Sequence, residues 1–335
     1  MIDSGSTETT FWVPPLLEFA PFFVVGSSRS GTTMLRLILA GHSRITIPPE
    51  TWFILPLVNT FPLTEPLSRK QTAEAVQTIV ECHRWPDMSI GNEGFLSLAG
   101  SIQHPRLRDL IDLVYRVHLD RNRKARVGEK TPTYVNIIPQ IKTIYPEAKF
   151  IHLIRDGRDV AISFVEANFK GRYYHGSDFE WTKAIRAGMA YRHSKFADDI
   201  LEVRYEELVQ APETTVREVC RFLGECFESD MMNFQQRIGI VPQRERGIHT
   251  KLVKQISLDC IGTWRRLLSG PECFVIEAAL RAELVKLGYN LRFKSLLWWP
   301  LAQVTRLIMR CLASLLDRVL PALRRRGMLT KHRYL

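Results

Sequence analysis

The cysteines of this chain form no pattern typical of a structural metal site or a disulfide framework. Six cysteines are scattered along 335 residues, and no two of them stand in a C-x-x-C pair. This spacing excludes a zinc ribbon and a thioredoxin motif, and scattered single cysteines are typical of a reducing compartment. The histidines also lack metal-ligand spacing, so the sequence predicts no metal cofactor.

Long hydrophobic runs are absent as well. No stretch of 18 uncharged apolar residues occurs, which predicts that no helix spans a membrane. Residues 1–10 are polar and lack the basic start and apolar core of a signal peptide. The sequence therefore predicts a cytoplasmic protein.

The net positive charge is low over most of the chain and concentrated near its C-terminus. The net charge is +11, and residues 291–335 contain ten Lys and Arg but one acidic residue, which leaves only +2 for the rest. Residues 298–326 have apolar side chains at helical spacing and arginines on the other side, so they predict an amphipathic helix. A nearly neutral body does not favour a nucleic-acid partner. The basic tail fits peripheral contact with an anionic membrane surface, docking on the protein's own body or a dimer contact, and the oligomeric state is left open.

Apolar, strand-like segments alternate with segments of helical character. The predicted strands are residues 21–26, 149–154 and 200–204, and the predicted helices are residues 32–40, 105–122, 160–169, 212–224 and 272–287. This alternation predicts an α/β fold of three layers, in which helices cover both faces of a central parallel sheet. We expect an N-terminal extension over 1–20, one large domain over 21–293 and a basic amphipathic tail over 294–335.

A loop rich in small residues follows the first predicted strand. It reads G-S-S-R-S-G-T-T over residues 26–33 and opens the first predicted helix. Small residues let the backbone wrap around an anion, and the N-terminus of a helix offers unpaired N–H groups to it. The spacing is that of a Walker loop, but Thr32 stands where a nucleotide hydrolase needs Lys, and the cation is Arg29. The loop therefore predicts an anion site that a planar guanidinium grips.

Residues 28–33, S-R-S-G-T-T, resemble the 5′-phosphosulfate loop of sulfotransferases that use 3′-phosphoadenosine 5′-phosphosulfate (PAPS). The tyrosylprotein sulfotransferases and many bacterial relatives carry Arg at the position of Arg29. The resemblance extends over residues 22–266 and implies a P-loop-like sulfotransferase domain within 21–293. It also implies that the 5′-phosphosulfate is held by Arg29, Ser30, Gly31, Thr32 and Thr33.

A second segment, residues 151–163, resembles the 3′-phosphate site of the same family. Arg155 ends a predicted strand, and Ser163 lies eight positions later on the next helix. In open α/β sheets ligands bind at the carboxyl ends of strands, where Arg155 can clamp a phosphate and Ser163 can donate a further hydrogen bond. The resemblance implies additional donor contacts from Tyr205, Lys254 and Trp264.

Moving a sulfuryl group to a hydroxyl requires a base for the hydroxyl proton and fixed cations near the departing phosphate oxygen. The resemblance implies that the base is Glu50, which stands in P-P-E-T, 21 residues after Arg29. Lys130, in G-E-K-T-P, matches the family's Lys near the leaving oxygen and would act there with Arg29. His42 is the competing base, because many cytosolic sulfotransferases use His.

The acceptor and one rival function stay open in the sequence. The tyrosylprotein enzymes carry a catalytic Ser six residues before the position of Lys254, whereas this chain has Ile248 there. The hydroxyl-bearing acceptor can therefore be a glycan, a lipid, a small alcohol or tyrosine, with a pocket built from loops over 51–100 and 169–178. A P-loop kinase of a small molecule is the alternative function, although it needs the Walker Lys that Thr32 replaces.

Overall fold

The computed structural model describes residues 17, 20–167, 177–247, 257–294, 300, 304 and 307. Lys254 and Ile248 lie outside this set, together with most of the predicted N-terminal extension and of the predicted C-terminal amphipathic helix. Among the described residues, no helix has the length and apolar character needed to cross a membrane.

The strands of the described residues form one parallel sheet in the order β2-β3-β1-β4-β5. They are β1 (Phe22–Gly26), β2 (Ile45–Thr46), β3 (Arg126–Glu129), β4 (Phe150–Ile154) and β5 (Ile200–Arg204). In this sheet Phe22 pairs with Gly128, and Val25 pairs with His152. Because all strands run in one direction, their carboxyl ends lie along one edge, and the segments that follow β1, β3, β4 and β5 all start there.

Helices pack against both faces of this sheet. The α-helices of the described residues are α1 (Thr32–Leu39), α2 (Ile54–Thr60), α3 (Arg69–Val80), α4 (Trp85–Met88), α5 (Asn92–Ser101), α6 (Leu107–Asn122), α7 (Ile138–Ile144), α8 (Gly157–Glu166), α9 (Ser177–Arg192), α10 (Tyr205–Gln210), α11 (Pro212–Leu223), α12 (Gln243–Arg246), α13 (Trp264–Leu267) and α14 (Gly270–Lys286). Short 3₁₀ helices cover Pro132–Ile137, Ala197–Asp199, Ser229–Met232, Phe234–Ile240 and Leu258–Cys260.

Alternate residues of β1 enter separate cores, as the two-residue period of a strand requires. Phe23 and Val25 pack with helices α2 to α7, whereas Phe22 and Val24 pack with α1, α10 and α11. A third cluster joins α8 and α9 to α13 and α14. The sheet is therefore covered on both sides, which confirms the three-layer α/β fold with a central parallel sheet.

The predicted strands agree with β1, β4 and β5, and the predicted helices overlap α1, α6, α8, α11 and α14. The sequence analysis missed β2 because it has two residues, and β3 because it begins and ends on charged side chains. Both side chains are buried and hydrogen-bonded, since Arg126 contacts Glu225 and the Glu129 carboxyl group accepts from Thr131. The segment 51–100, expected to be loops, contains α2 to α5.

β4 carries a buried histidine on its face toward α9. His152 has 0% exposure, and neither ring nitrogen has a hydrogen-bond partner among the residues that the structure describes. Its ring packs so closely on Gly188 of α9 that a Cβ there would lie 2.0 Å from it. Burial lowers the pKa of His152 to about 4, even though Glu202 Oε1 lies 4.0 Å from Nδ1. His152 is therefore neutral in the folded protein.

We expect His152 to reduce stability as the pH falls from 6.5 towards 4, because the unfolded chain then binds a proton that the folded chain does not. Compared with His152→Leu, the wild type should lose about 3 kcal/mol of unfolding free energy across that window. Urea denaturation followed by circular dichroism at a series of pH values measures the difference. His193→Leu, at an exposed position, is the control. Parallel pH profiles for wild type and His152→Leu would contradict this assignment.

Candidate active site

The loop after β1 reaches the carboxyl edge of the sheet in a backbone conformation that few residues adopt. Arg29 has a φ of 67° and Gly31 a φ of 97°. A Cβ at Gly31 would lie 2.5 Å from the ring of Tyr205, so this turn requires glycine. The turn leads directly into α1, whose first N–H groups have no partner within the helix. Ser30 is buried, and its Oγ has no hydrogen-bond partner among the described residues, which suits a bound anion.

The structure brings three of the predicted donor-site residues into contact. Arg29 Nε donates to Ser163 Oγ at 3.1 Å, and Arg155 Nη1 donates to the backbone oxygen of Arg29 at 3.1 Å. Burial and the neighbouring guanidinium of Arg155 lower the pKa of Arg29. Because the two cations repel each other in a partly desolvated position, binding of anionic groups to them is favoured.

Arg155 is also held by the first residue of α10 and by the segment before residue 262. Its Nη2 donates to the backbone oxygen of Cys260 at 2.9 Å, and its guanidinium carbon lies 4.2 Å from the centre of the Tyr205 ring. Burial raises the pKa of Tyr205 to about 12, so the ring is neutral and attracts the cation. The Nε of Arg155 is buried and has no hydrogen-bond partner within the described part of the chain.

The sequence analysis did not single out Asp159, whose side chain fixes the loop at residues 262–264. Its carboxylate accepts hydrogen bonds from the backbone N–H groups of Gly262 at 2.7 Å and Trp264 at 2.8 Å. Trp264 is 4% exposed, and its ring centre lies 3.7 Å from the guanidinium carbon of Arg158 and 4.7 Å from that of Arg265. Trp264 therefore packs in the interior and shapes the loop from inside.

Two of the three residues predicted to carry the chemistry, Glu50 and Lys130, meet at the end of β3. Lys130 Nζ donates to Glu50 Oε1 at 2.5 Å and to Thr33 Oγ1 at 3.4 Å. Lys130 is 1% exposed and the Glu50 side chain 15%, so this ion pair is largely shielded from water. Since Thr33 lies in the first turn of α1, Lys130 joins the Glu50 carboxylate directly to the anion loop.

The second carboxylate oxygen of Glu50 has its own partners. Trp52 Nε1 donates to Glu50 Oε2 at 2.8 Å, and Arg84 Nη2 lies 3.8 Å from the same oxygen. Burial on its own would raise the pKa of Glu50, but Lys130, the hydrogen bond from Trp52 and the charge of Arg84 together lower it below its usual value. Glu50 is therefore an ionised carboxylate at neutral pH, as a general base must be.

A buried hydrogen-bond network holds the segment after Glu50. The Glu129 carboxylate accepts from Tyr115 Oη at 2.9 Å and from Thr131 Oγ1 at 2.7 Å. Thr131 Oγ1 in turn accepts from the backbone N–H of Thr51 at 3.2 Å, and Thr51 Oγ1 lies 3.2 Å from Tyr134 Oη. Burial raises the pKa of Glu129 to about 7. The pKa values of these two neighbouring carboxylates are thus displaced in opposite directions, and only Glu50 is partly exposed.

His42 lies at the opposite end of α1 from the anion loop. The helix has eight residues, which corresponds to about 12 Å. His42 is 2% exposed, its Nδ1 accepts from the backbone N–H of Arg44 at 3.0 Å, and its Nε2 lies 2.9 Å from the backbone oxygen of Cys226. Both ring nitrogens are engaged, so His42 is not placed to act on a substrate at this edge.

The predicted donor and catalytic residues within the described ranges all come from segments at the carboxyl edge of the sheet, and Lys254 lies outside those ranges. In the part of the chain that the structure describes, no three His, Cys, Asp or Glu side chains form a group able to hold a metal ion. What the edge offers is an anion loop with two guanidinium groups, an ammonium and an ionised carboxylate. This set can bind phosphate groups and accept a proton.

Residues 21–229, more than half of the chain, match the sulfotransferase family. The chain therefore belongs to this family of transferases. The sulfotransferase domain of the olefin synthase of Synechococcus PCC 7002 has the same fold, with a TM-score of 0.61 and 22% sequence identity. That similarity covers 84% of this chain and 99% of the domain.

Among sequence relatives, the protein-tyrosine sulfotransferase A of Caenorhabditis elegans is 25% identical over 280 residues, which cover 81% of this chain and 68% of that protein. An uncharacterized protein of Aquifex aeolicus is 27% identical over 259 residues, which cover 73% of this chain. The match takes in only 30% of the Aquifex protein, so most of that relative lies beyond the similarity.

Proposed function

We propose that this protein transfers a sulfuryl group from PAPS to an acceptor hydroxyl, with Glu50 as the general base. The observation that carries the proposal is the shielded ion pair of Glu50 and Lys130, which lies within 3.4 Å of Thr33 in the anion loop. An ionised carboxylate so close to an anion site is unfavourable unless cations offset its charge. A need for a proton acceptor at this place explains why a carboxylate lies there.

The donor lies along the carboxyl edge of the sheet in this proposal. Its 5′-phosphosulfate binds Arg29 and the loop N–H and hydroxyl groups from Ser30 to Thr33, and its 3′-phosphate binds Arg155 and Ser163. Two buried atoms, Ser30 Oγ and Arg155 Nε, lack hydrogen-bond partners among the described residues. They support this arrangement because buried polar atoms are normally hydrogen-bonded, and phosphate oxygens of the bound PAPS would be their partners. Lys254 joins the donor site by family resemblance alone.

Tyr205 and Trp264 support the residues and the loop that form the same site. The Tyr205 ring supports the guanidinium of Arg155 and closes against Gly31, so it sets the distance between the two anion sites. Trp264 anchors the loop at residues 262–264, which Asp159 holds beside the helix that carries Ser163. We therefore assign both aromatic residues to shaping the donor site.

The reaction is an in-line displacement at sulfur. The acceptor oxygen forms a bond to sulfur as the bond between sulfur and the bridging phosphate oxygen breaks, and Glu50 takes the hydroxyl proton. The electron pair of the broken bond stays on the departing phosphate oxygen, where Lys130 and Arg29 stabilise the added charge. The products are the sulfated acceptor and adenosine 3′,5′-bisphosphate.

Two features bear on the acceptor and point in different directions. The name of the Caenorhabditis relative states tyrosine in proteins as its substrate. In this chain Ile248 occupies the position where the tyrosylprotein enzymes carry a catalytic Ser, which disfavours tyrosine. The acceptor is a molecule with a free hydroxyl, and labelled donor incubated with tyrosine peptides, sugars, lipids and small alcohols identifies its class by the mass of the product.

Glu50→Gln keeps the shape of the side chain and removes its basicity. We expect this variant to bind adenosine 3′,5′-bisphosphate as tightly as the wild type, and to transfer labelled sulfate at least ~100-fold more slowly, the usual contribution of a positioned base. Calorimetry measures the first quantity, and single-turnover transfer measures the second. His42→Ala is the control for the competing base. Near-normal transfer by Glu50→Gln together with loss of transfer in His42→Ala would reassign the base to His42.

Arg155→Ala tests the orientation of the donor. Loss of a charge-assisted contact to the 3′-phosphate should weaken binding of adenosine 3′,5′-bisphosphate by roughly one to two decades. Binding of adenosine 5′-phosphate, which has no 3′-phosphate, should change much less. Arg192→Ala, which removes an exposed guanidinium on α9, should leave both affinities unchanged. Equal losses for the two ligands in Arg155→Ala would remove this residue from the 3′ site.

A further inference from the structure

We propose that Trp52 is a positioning residue that holds the Glu50 carboxylate in place during transfer. This inference rests on the proposed function of Glu50 as the base. Trp52 would not touch the reacting atoms, and its effect would pass through the hydrogen bond that its indole makes to Glu50.

The carboxylate of Glu50 is gripped by a different donor at each oxygen. Lys130 holds Oε1 at 2.5 Å, and the Trp52 indole N–H holds Oε2 at 2.8 Å. Arg84 is more distant, at 3.8 Å from Oε2, and it is shared with Asp87 and Glu245. The indole is therefore the only donor within hydrogen-bond distance of Oε2 among the residues that the structure describes.

Trp52 adopts a backbone conformation that a bulky residue rarely takes. Its φ is 59°, in the left-handed region that favours glycine. The neighbouring residues impose this conformation, because Thr51 donates to Thr131, Cys82 donates to the backbone oxygen of Thr51, and the N–H of Ile54 donates to Tyr134. Strain of this kind persists where the surrounding structure fixes it, and it is concentrated at functional sites.

Burial in the hydrophobic core does not explain a tryptophan at this position. Phe53 and Ile54 are both 1% exposed and belong to the core that contains β1, whereas Trp52 is only half-buried and belongs to none of the buried clusters. The turn thus sends its two following side chains into the interior and leaves the indole beside Glu50. The ring also contacts His83, with centroids 6.0 Å apart, and the polar contact of the indole is the hydrogen bond to the carboxylate.

The two hydrogen-bond donors to Glu50 differ in charge, since Lys130 is a cation and Trp52 is neutral. This difference suggests that they have separate tasks. Lys130 also contacts Thr33 in the anion loop, and it is one of the cations proposed to stabilise the charge on the departing phosphate oxygen. When Lys130 shifts towards that oxygen, its grip on Glu50 Oε1 weakens. Trp52 is neutral, so it continues to orient the carboxylate through Oε2 without neutralising its charge. Oε1 is then the oxygen that accepts the hydroxyl proton.

The test compares Trp52→Phe, which removes the N–H, with Trp52→Gln, which keeps an N–H donor at a similar reach and removes the aromatic ring. In Trp52→Phe we expect the acidic limb of the pH profile of kcat/KM to move upward by about one pH unit, as loss of a hydrogen bond to a charged group implies. The limb of Trp52→Gln should stay near that of the wild type. Binding of adenosine 3′,5′-bisphosphate should be unchanged in both variants.

A structural role alone would lower kcat in both variants without moving either limb, and that result would overturn the inference. An equal shift in Trp52→Phe and Trp52→Gln would also overturn it, because the N–H would then not be responsible. Glu50→Gln separates this failure from failure of the proposed function. If Glu50→Gln retains full transfer, the base assignment is wrong. If it loses transfer while Trp52→Phe keeps the wild-type limb, only the role of Trp52 is wrong.

Discussion

The site depends on the ion pair between Lys130 and Glu50. Both side chains are largely removed from water, and a buried carboxylate without a partner would take up a proton and cease to be a base. Lys130 prevents this at a separation of 2.5 Å, with help from Trp52 and Arg84. The same ammonium reaches Thr33 in the loop after β1, so one cation contacts both the proposed base and the proposed anion site.

The remainder of the fold keeps these groups at one edge. Parallel strands bring the anion loop, Lys130 and Arg155 to neighbouring positions, although they are far apart in the chain. Beneath Glu50, the network that starts at Glu129 fixes the turn of residues 51–54 through buried hydrogen bonds. Contacts of this kind are costly to leave unmet, so they define one arrangement of the loop. The proposed anion sites and the proposed base are therefore positioned by buried polar contacts as much as by the sheet.

The fold class and the edge of the sheet that carries the anion sites could be predicted from local sequence patterns. The strand-loop-helix pattern at residues 22–39 and the position of Arg155 at a strand end led to the fold and to the anion edge. The role proposed for Trp52 could not be predicted, because its contact with Glu50, two residues earlier, depends on the left-handed backbone of Trp52. The role of Asp159 could not be predicted, because the loop at 262–264 is brought close to it only by folding. Strand β3 was hidden because its end residues are charged, and their partners, Glu225 and Thr131, are visible only in three dimensions.

The central claim, that Lys130 keeps a shielded Glu50 ionised, can be measured directly. Protein with ¹³C-labelled Glu carboxyl groups gives the pKa of Glu50 by NMR titration, with the signal assigned by its loss in Glu50→Gln. We predict that the pKa of Glu50 in the wild type lies below the usual value for glutamate. In Lys130→Met the pKa should rise, because burial then acts against fewer compensating contacts. The same pKa in both proteins would contradict the account.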